Sequence, residues 1–173
     1  MSNQPFSIVL YPDPVLRRQA LGVPQVDTEV RQVATDMLRL MHEAPGVGLA
    51  APQIGLPWRL FVANPTGDPA DDRVYINPVL SKPVGPQQPY EEGCLSLPDI
   101  RVEVIRPFGI TINALDINGQ PFEEAADGLL ARIWQHEFDH LNGRLIIDKM
   151  SRLDRVMNTK KIKGLELDYG MQG

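Results

Sequence analysis

"DGLLARIWQHEFDHLNG", residues 127–143, decides the fold. Leu129, Leu130, Ile133, Trp134, Phe138 and Leu141 place apolar side chains on more than one side of a helix running from about Asp127 to Asn142. A helix that is apolar nearly all round is buried, so the rest of the chain must cover it on several sides. Asn142-Gly143 supplies its C-terminal stop. The same helix carries His136, Glu137, Asp139 and His140, and burying four such groups is costly unless they find partners or a metal ion.

The cover is β-rich. "WRLFVA" (58–63), "RVYINPVL" (73–80), "IRVEVIR" (100–106) and "GITINALDI" (109–117) read as short separate strands, divided by Gly, Pro, Asn and Asp. Asn118-Gly119 between two extended runs predicts a hairpin, and "GDPADD" (67–72) a surface loop. Upstream, "YPDPVLR" (11–17) takes an extended path set by two prolines. A first helix follows, capped by Asp27 or Thr28. It carries Val30, Val33, Met37, Leu40 and Met41 on one stripe, and Pro45-Gly46 stops it. A tail helix opens at about Ser151 and is expected to end near Gly164. The expected architecture is α+β: mainly antiparallel sheets around a buried central helix, in one domain over residues 1–173.

A hydrophobic fraction of 43% over 173 residues supports one core without covalent staples. The single cysteine, Cys94, excludes an internal disulfide and fits a reducing compartment. A net charge of −5 argues against broad nucleic-acid binding. No apolar run approaches the roughly 20 residues needed to span a bilayer. "MSNQPFSIVL" lacks the basic and apolar regions of a secretory leader.

His136-Glu137-Phe138-Asp139-His140 matches H-E-x-x-H. Side chains four apart share a helix face, so two imidazoles so placed can reach one ion. Glu137 lies roughly 100° further round, poor for ligation but well placed to handle a proton. Two helix histidines satisfied by ordinary neighbours remain the plainer reading of this motif alone. No histidine lies downstream to complete a zinc-protease triad. Upstream, "EEGCLSLP" holds Cys94, which reads either as a small buried hydrophobe or as the third ligand of a Cys/His/His set with an open fourth position. Asp139 and Gln135 are candidates to orient the histidines. His42 reads as a surface residue or as a partner of its own helix C-terminus. "GVGLAAPQIG" (46–55) permits close backbone approach, and Gln53 offers an amide to an oxyanion.

Together, "GVGLAAPQ", "EGCLS" and "QHEFDHLNG", in this order and spacing, resemble the three motifs of the peptide deformylases. "YPDPVLR" and "ADGLLAR" also look like that family, over most of residues 6–150. The resemblance implies removal of the formyl group from N-formylmethionine on new polypeptides, with release of formate. It implies one divalent metal ion on Cys94, His136 and His140: Fe²⁺ in cells, with Zn²⁺, Ni²⁺ or Co²⁺ able to replace it. It makes Glu137 the general base, and Gln53 and the Leu95 N–H the oxyanion donors. Val47, Gly48 and Gly93 would present backbone to the peptide. Val47, Tyr90, Leu129, Ile133 and the stem of Arg132 would wall the methionine pocket, with Glu92 at its border. Arg101 and Arg106 are expected in structural ion pairs. Arg152, Arg155, Lys160, Lys161 and Lys163 could bring the tail to ribosomal RNA near the exit tunnel, against the plainer expectation of a solvated face. A monomer without membrane or DNA partners is expected, in the bacterial cytoplasm or as a processed organellar form. Two other readings stay open at this point: a zincin-like peptidase, and a non-catalytic metal- or peptide-binding relative.

Overall fold

Asp27 accepts a hydrogen bond from the Val30 N–H and so caps α1, Thr28–Glu43. Val30, Val33, Met37 and Met41 of its stripe are buried, while Leu40 packs half-buried at the margin. The computed structural model describes residues 5–172. The first four residues of the stretch read for a leader, and residue 173, lie outside them.

Five strands follow: β1 (Gly48–Ala50), β2 (Leu60–Ala63), β3 (Arg73–Cys94), β4 (Leu97–Leu115) and β5 (Pro121–Asp127). They form one sheet in sequence order, each neighbouring pair antiparallel. Alternation along β2 explains the layering. Leu60 and Val62 join the core with α1, whereas Phe61 and Ala63 join the core with α2, Gly128–Leu141. The sheet is therefore covered on both faces here, and all four β2 residues are buried. Tyr75 stacks on Phe61 with ring centroids 4.8 Å apart and meets Trp134 of α2 edge-on at 5.7 Å.

The short separate strands expected from the proline-punctuated middle are in fact two long ones. β3 runs 22 residues through Pro78, Pro83, Pro86 and Pro89. Its pairing with β4 shifts register between Ile76 and Val79, between Ser81 and Val84, and between Val84 and Gln87. Asn77, Lys82 and Gly85 stand at those shifts with positive φ. Bulges thus set three of the prolines where no ladder N–H is required. The Asn118-Gly119 hairpin forms as expected, with Gly119 at φ 78° and β4 pairing β5 from Leu115–Pro121 onward.

The tail helix also departs from expectation. α3 spans Arg152–Gln172 and passes straight through Gly164. A mid-helix glycine costs only about 1 kcal/mol. Ile162 and Leu165 pack on the cluster formed by Leu97, Ile100, Val102 and Val104, and Tyr11 donates to Glu166 at 3.0 Å. Among the described residues no helix is long and apolar enough to cross a membrane.

Gly143 fixes how α2 ends. It adopts φ 71°, and a Cβ there would collide with the Arg17 carbonyl. Gly143→Ala should therefore destabilise the fold by roughly 1–3 kcal/mol. Urea unfolding measures this, and an unchanged midpoint would show that the 17–18 segment moves aside freely.

Candidate active site

α2 and the β3–β4 turn meet at one point. α2 brings His136 and His140, whose ring centroids lie 5.1 Å apart. The end of β3 brings Cys94, with Sγ 3.4 Å from His140 Nε2. One donor atom from each of these three residues lies within 4.8 Å of the others. Gly48 of β1 faces them closely enough that a Cβ would come 2.7 Å from Glu137 Oε1. Gly48→Ala should thus displace the carboxylate and remove most activity while the fold survives, read as turnover against melting temperature. Full activity in that variant would mean that Glu137 has room the packing does not show.

Glu92 orients His136. Its Oε1 accepts from His136 Nδ1 at 2.9 Å, which turns Nε2 toward Cys94 and His140. Arg106 grips the same carboxylate from both sides, Nε to Oε2 at 2.8 Å and Nη2 to Oε1 at 3.0 Å. Arg132 adds a bond to Glu92 Oε2 at 2.7 Å, and Arg106 Nη1 reaches Asp139 at 2.9 Å. Burial would raise the Glu92 carboxyl. The His136 and Arg106 hydrogen bonds outweigh it and hold the group well below the usual carboxylate range. The expectation that Asp139 and Gln135 orient the histidines is corrected here. Asp139 is held by Arg106 and Lys149, and Gln135 donates to the Pro107 and Ala131 carbonyls. Arg106 makes the expected ion pairs, whereas Arg101 makes none among the described residues.

The donor set fits a cation. Burial alone would lower His136, but contact with Cys94 and Glu92 outweighs it and raises that imidazole well above its ordinary value. An ion bound there would have to displace that proton, since imidazole ligates in its neutral form. His140 is pushed the other way, first by burial and then by the charges of His136 and Arg106, which leaves it neutral and able to ligate. Cysteine and histidine donors with one side open to a cleft are the arrangement of a catalytic rather than a closed structural centre.

Glu137 is buried beside this cluster, with Oε1 3.9 Å from His136 Nε2. Burial pushes its carboxyl up to about 7, moderated by the positive charge of His136. Gln53 is fixed at both ends of its amide. Oε1 accepts from the Ala50 N–H at 2.9 Å, while Nε2 donates to Ser96 Oγ at 3.1 Å and lies 3.6 Å from Cys94 Sγ. Ser96 is a supporting residue that sequence reasoning gave no role, although it closes the "EGCLS" stretch two places after Cys94.

A cleft of about 890 Å³ opens in front of these groups. Val47, Gly48, Gln53, Tyr90, Glu92, Gly93, Cys94, Leu95, Leu129, Arg132, Ile133, His136 and Glu137 all line it, so among the expected residues only His140 sits behind its wall. Tyr90, Val47 and Leu129 are about half exposed, and the Arg132 guanidinium stacks 5.2 Å from the Tyr90 ring.

Known proteins resemble this chain over most of its length. The family model described as polypeptide deformylase matches residues 5–156. A peptide deformylase of Brucella suis is 44% identical over 167 residues, spanning 95% of this chain and 94% of its own length. One from Agrobacterium fabrum is 48% identical over 156 residues, 89% of this chain and 92% of its own. Among solved structures, a plant peptide deformylase superposes with a TM-score of 0.94 at 37% identity, covering 99% of this chain and 95% of its own. The Plasmodium falciparum enzyme superposes at 0.92 with 39% identity, covering 95% and 98%. The chain belongs to the polypeptide deformylase family.

Proposed function

We propose that the cleft carries out the family's reaction on N-formylmethionyl peptides, with Cys94, His136 and His140 holding one divalent metal ion. The observation that carries this is the convergence of a Cys/His/His donor set, a buried carboxylate and a fixed amide at the cleft, with His140 just behind its wall. When bound, the ion would polarise the formyl oxygen and acidify water at its open position. Glu137 takes the proton of the attacking water and returns it to the amine that leaves, which suits a carboxyl poised near 7. Gln53 Nε2 donates to the oxygen that gains charge, and the amide needs no reorganisation because Ala50 and Ser96 already fix it. The Leu95 N–H takes no part in the turn hydrogen bonds of the described residues and serves as the second donor.

Two free strand edges frame the peptide. β1 is the outer strand of the sheet, and the end of β3 near Gly93 pairs only with β4. A peptide laid between Val47–Gly48 and Gly93 would add as a strand and place the methionine side chain against Tyr90, Leu129, Ile133 and the Arg132 stem. Glu92, by contrast, is committed to Arg106, Arg132 and His136, so we assign it the orientation of His136 rather than contact with substrate.

Thiolate and imidazole suit several divalent ions, and we assign Fe²⁺ as the ion in cells. α3 presents Arg152, Arg155, Lys160 and Lys163 to solvent, a charge pattern that suits ribosomal RNA for a monomer working in the bacterial cytoplasm.

Comparing formyl-Met-Ala-Ala with its acetyl counterpart tests the reaction. Formate and a new amine in equal amounts from the first, with no cleavage of the second, is the expected result. Internal peptide cleavage would favour the peptidase reading instead.

A further inference from the structure

The cleft is lined by more than the residues assigned to the metal centre and the methionine pocket. Leu97, Pro98, Asp99, Arg101 and Lys161 also line it. Lys161 stands on α3, beyond residue 156 where the family match stops. Two side-chain bonds clamp that helix over β4. Asn158 Nδ2 donates to the Arg101 carbonyl at 2.9 Å, and Lys161 Nζ donates to the Asp99 carbonyl at 2.7 Å. Asn158 is buried, so the clamp is a packed contact. Arg101 itself lies over the backbone next to Cys94, where a Cβ on Gly93 would come 2.5 Å from Nη1.

Neither cation is neutralised. Among the described residues the Arg101 side chain has no hydrogen bond or ion pair, and Lys161 has no ion pair. Glu91 and Asp99 also line this end, yet neither carboxylate pairs with them. A guanidinium with free donors beside a held ammonium is a geometry suited to a carboxylate.

We propose that Arg101 and Lys161 form a carboxylate subsite for the peptide a few residues past its formyl-methionine. This rests on the deformylase reading, because that reading sets the direction in which the peptide leaves the metal centre. The carboxylate is either an acidic side chain or the terminal carboxylate of a short peptide. The tail helix then takes part in substrate choice through Lys161, which lies outside the family match, while Arg101 lies within it.

Steady-state kinetics on the metal-loaded full chain test it, with formyl-Met-Ala-Asp-amide, formyl-Met-Ala-Lys-amide, and formyl-Met-Ala-Ala as free acid and as amide. The aspartyl peptide should exceed the lysyl peptide by roughly fivefold in kcat/KM, carried by KM. Free acid against amide separates a terminal carboxylate from a side chain as the occupant. Lys161→Arg should keep the preference. Lys161→Glu should reverse it, an outcome that a merely damaged protein would not give. Equal kcat/KM across the peptides, or a preference unmoved by Lys161→Glu and Arg101→Ala, overturns the subsite and leaves the deformylase reading standing. No formate from any peptide overturns both.

Discussion

Glu137→Gln should lower formate release by roughly 10²–10⁴-fold, the range for loss of a positioned acid–base group, with metal content and melting temperature unchanged. Glutamine keeps the shape of the side chain, which matters because Gly48 closes over it. It removes only the ability to take and return a proton. Stability should not fall, since burial already raises the Glu137 carboxyl to about 7 and so disfavours its charged form. Glu137 Oε2 is buried without a partner, so no hydrogen bond of that atom is lost in the exchange. Metal content should hold, because the donor cluster is Cys94, His136 and His140 without Glu137. Turnover within a few-fold of wild type, on protein with full metal, would remove the proton-transfer role from Glu137.

Arg106→Ala should destabilise the fold by about 3–5 kcal/mol, as expected when one partner of a buried ion network is removed. The side chains of Arg106 and Glu92 are each 5% exposed, and Arg106 alone joins Glu92 to Asp139. Without it, two acidic groups remain in a poorly solvated place, with Arg132 and His136 left to answer Glu92 and only the more distant Lys149, among the described residues, to answer Asp139. Metal affinity should fall as well, by roughly 10–100-fold, because Glu92 would no longer be held behind His136. Arg106→Lys should rescue little, since an ammonium cannot reproduce the two-point grip on Glu92. Urea unfolding with metal titration of the same variants reads both effects. A loss below 1 kcal/mol would mean that Arg132 and Lys149 take over the pairing.

The central helix was legible because its apolar residues and its H-E-x-x-H lie within one short stretch, and helical spacing dictates which of them share a face. Cys94 was legible only through motif order, since nothing local ties a strand-end cysteine to His136, 42 residues later. The length of β3 was hidden for the opposite reason. Its prolines read as breaks, and only the register shifts against β4 show how a strand passes them. Glu92 had a local signal that went unused. It stands two residues before Cys94, so strand alternation puts both side chains on one face, toward His136. Lys161 could not be placed at all from sequence, because its position at the cleft depends on Asn158 and Lys161 bonding to carbonyls of β4.

The most direct measurement is formate release from formyl-Met-Ala-Ala as metal-free protein is titrated anaerobically with Fe²⁺, with bound ion counted in the same sample. Formate release should rise in proportion to bound ion, break at one ion per chain, and be absent from Cys94→Ser, which should fail to retain the ion. Formate release by ion-free protein, full binding and turnover by Cys94→Ser, or a loaded protein that releases no formate would contradict a metal-dependent deformylase built on Cys94, His136 and His140.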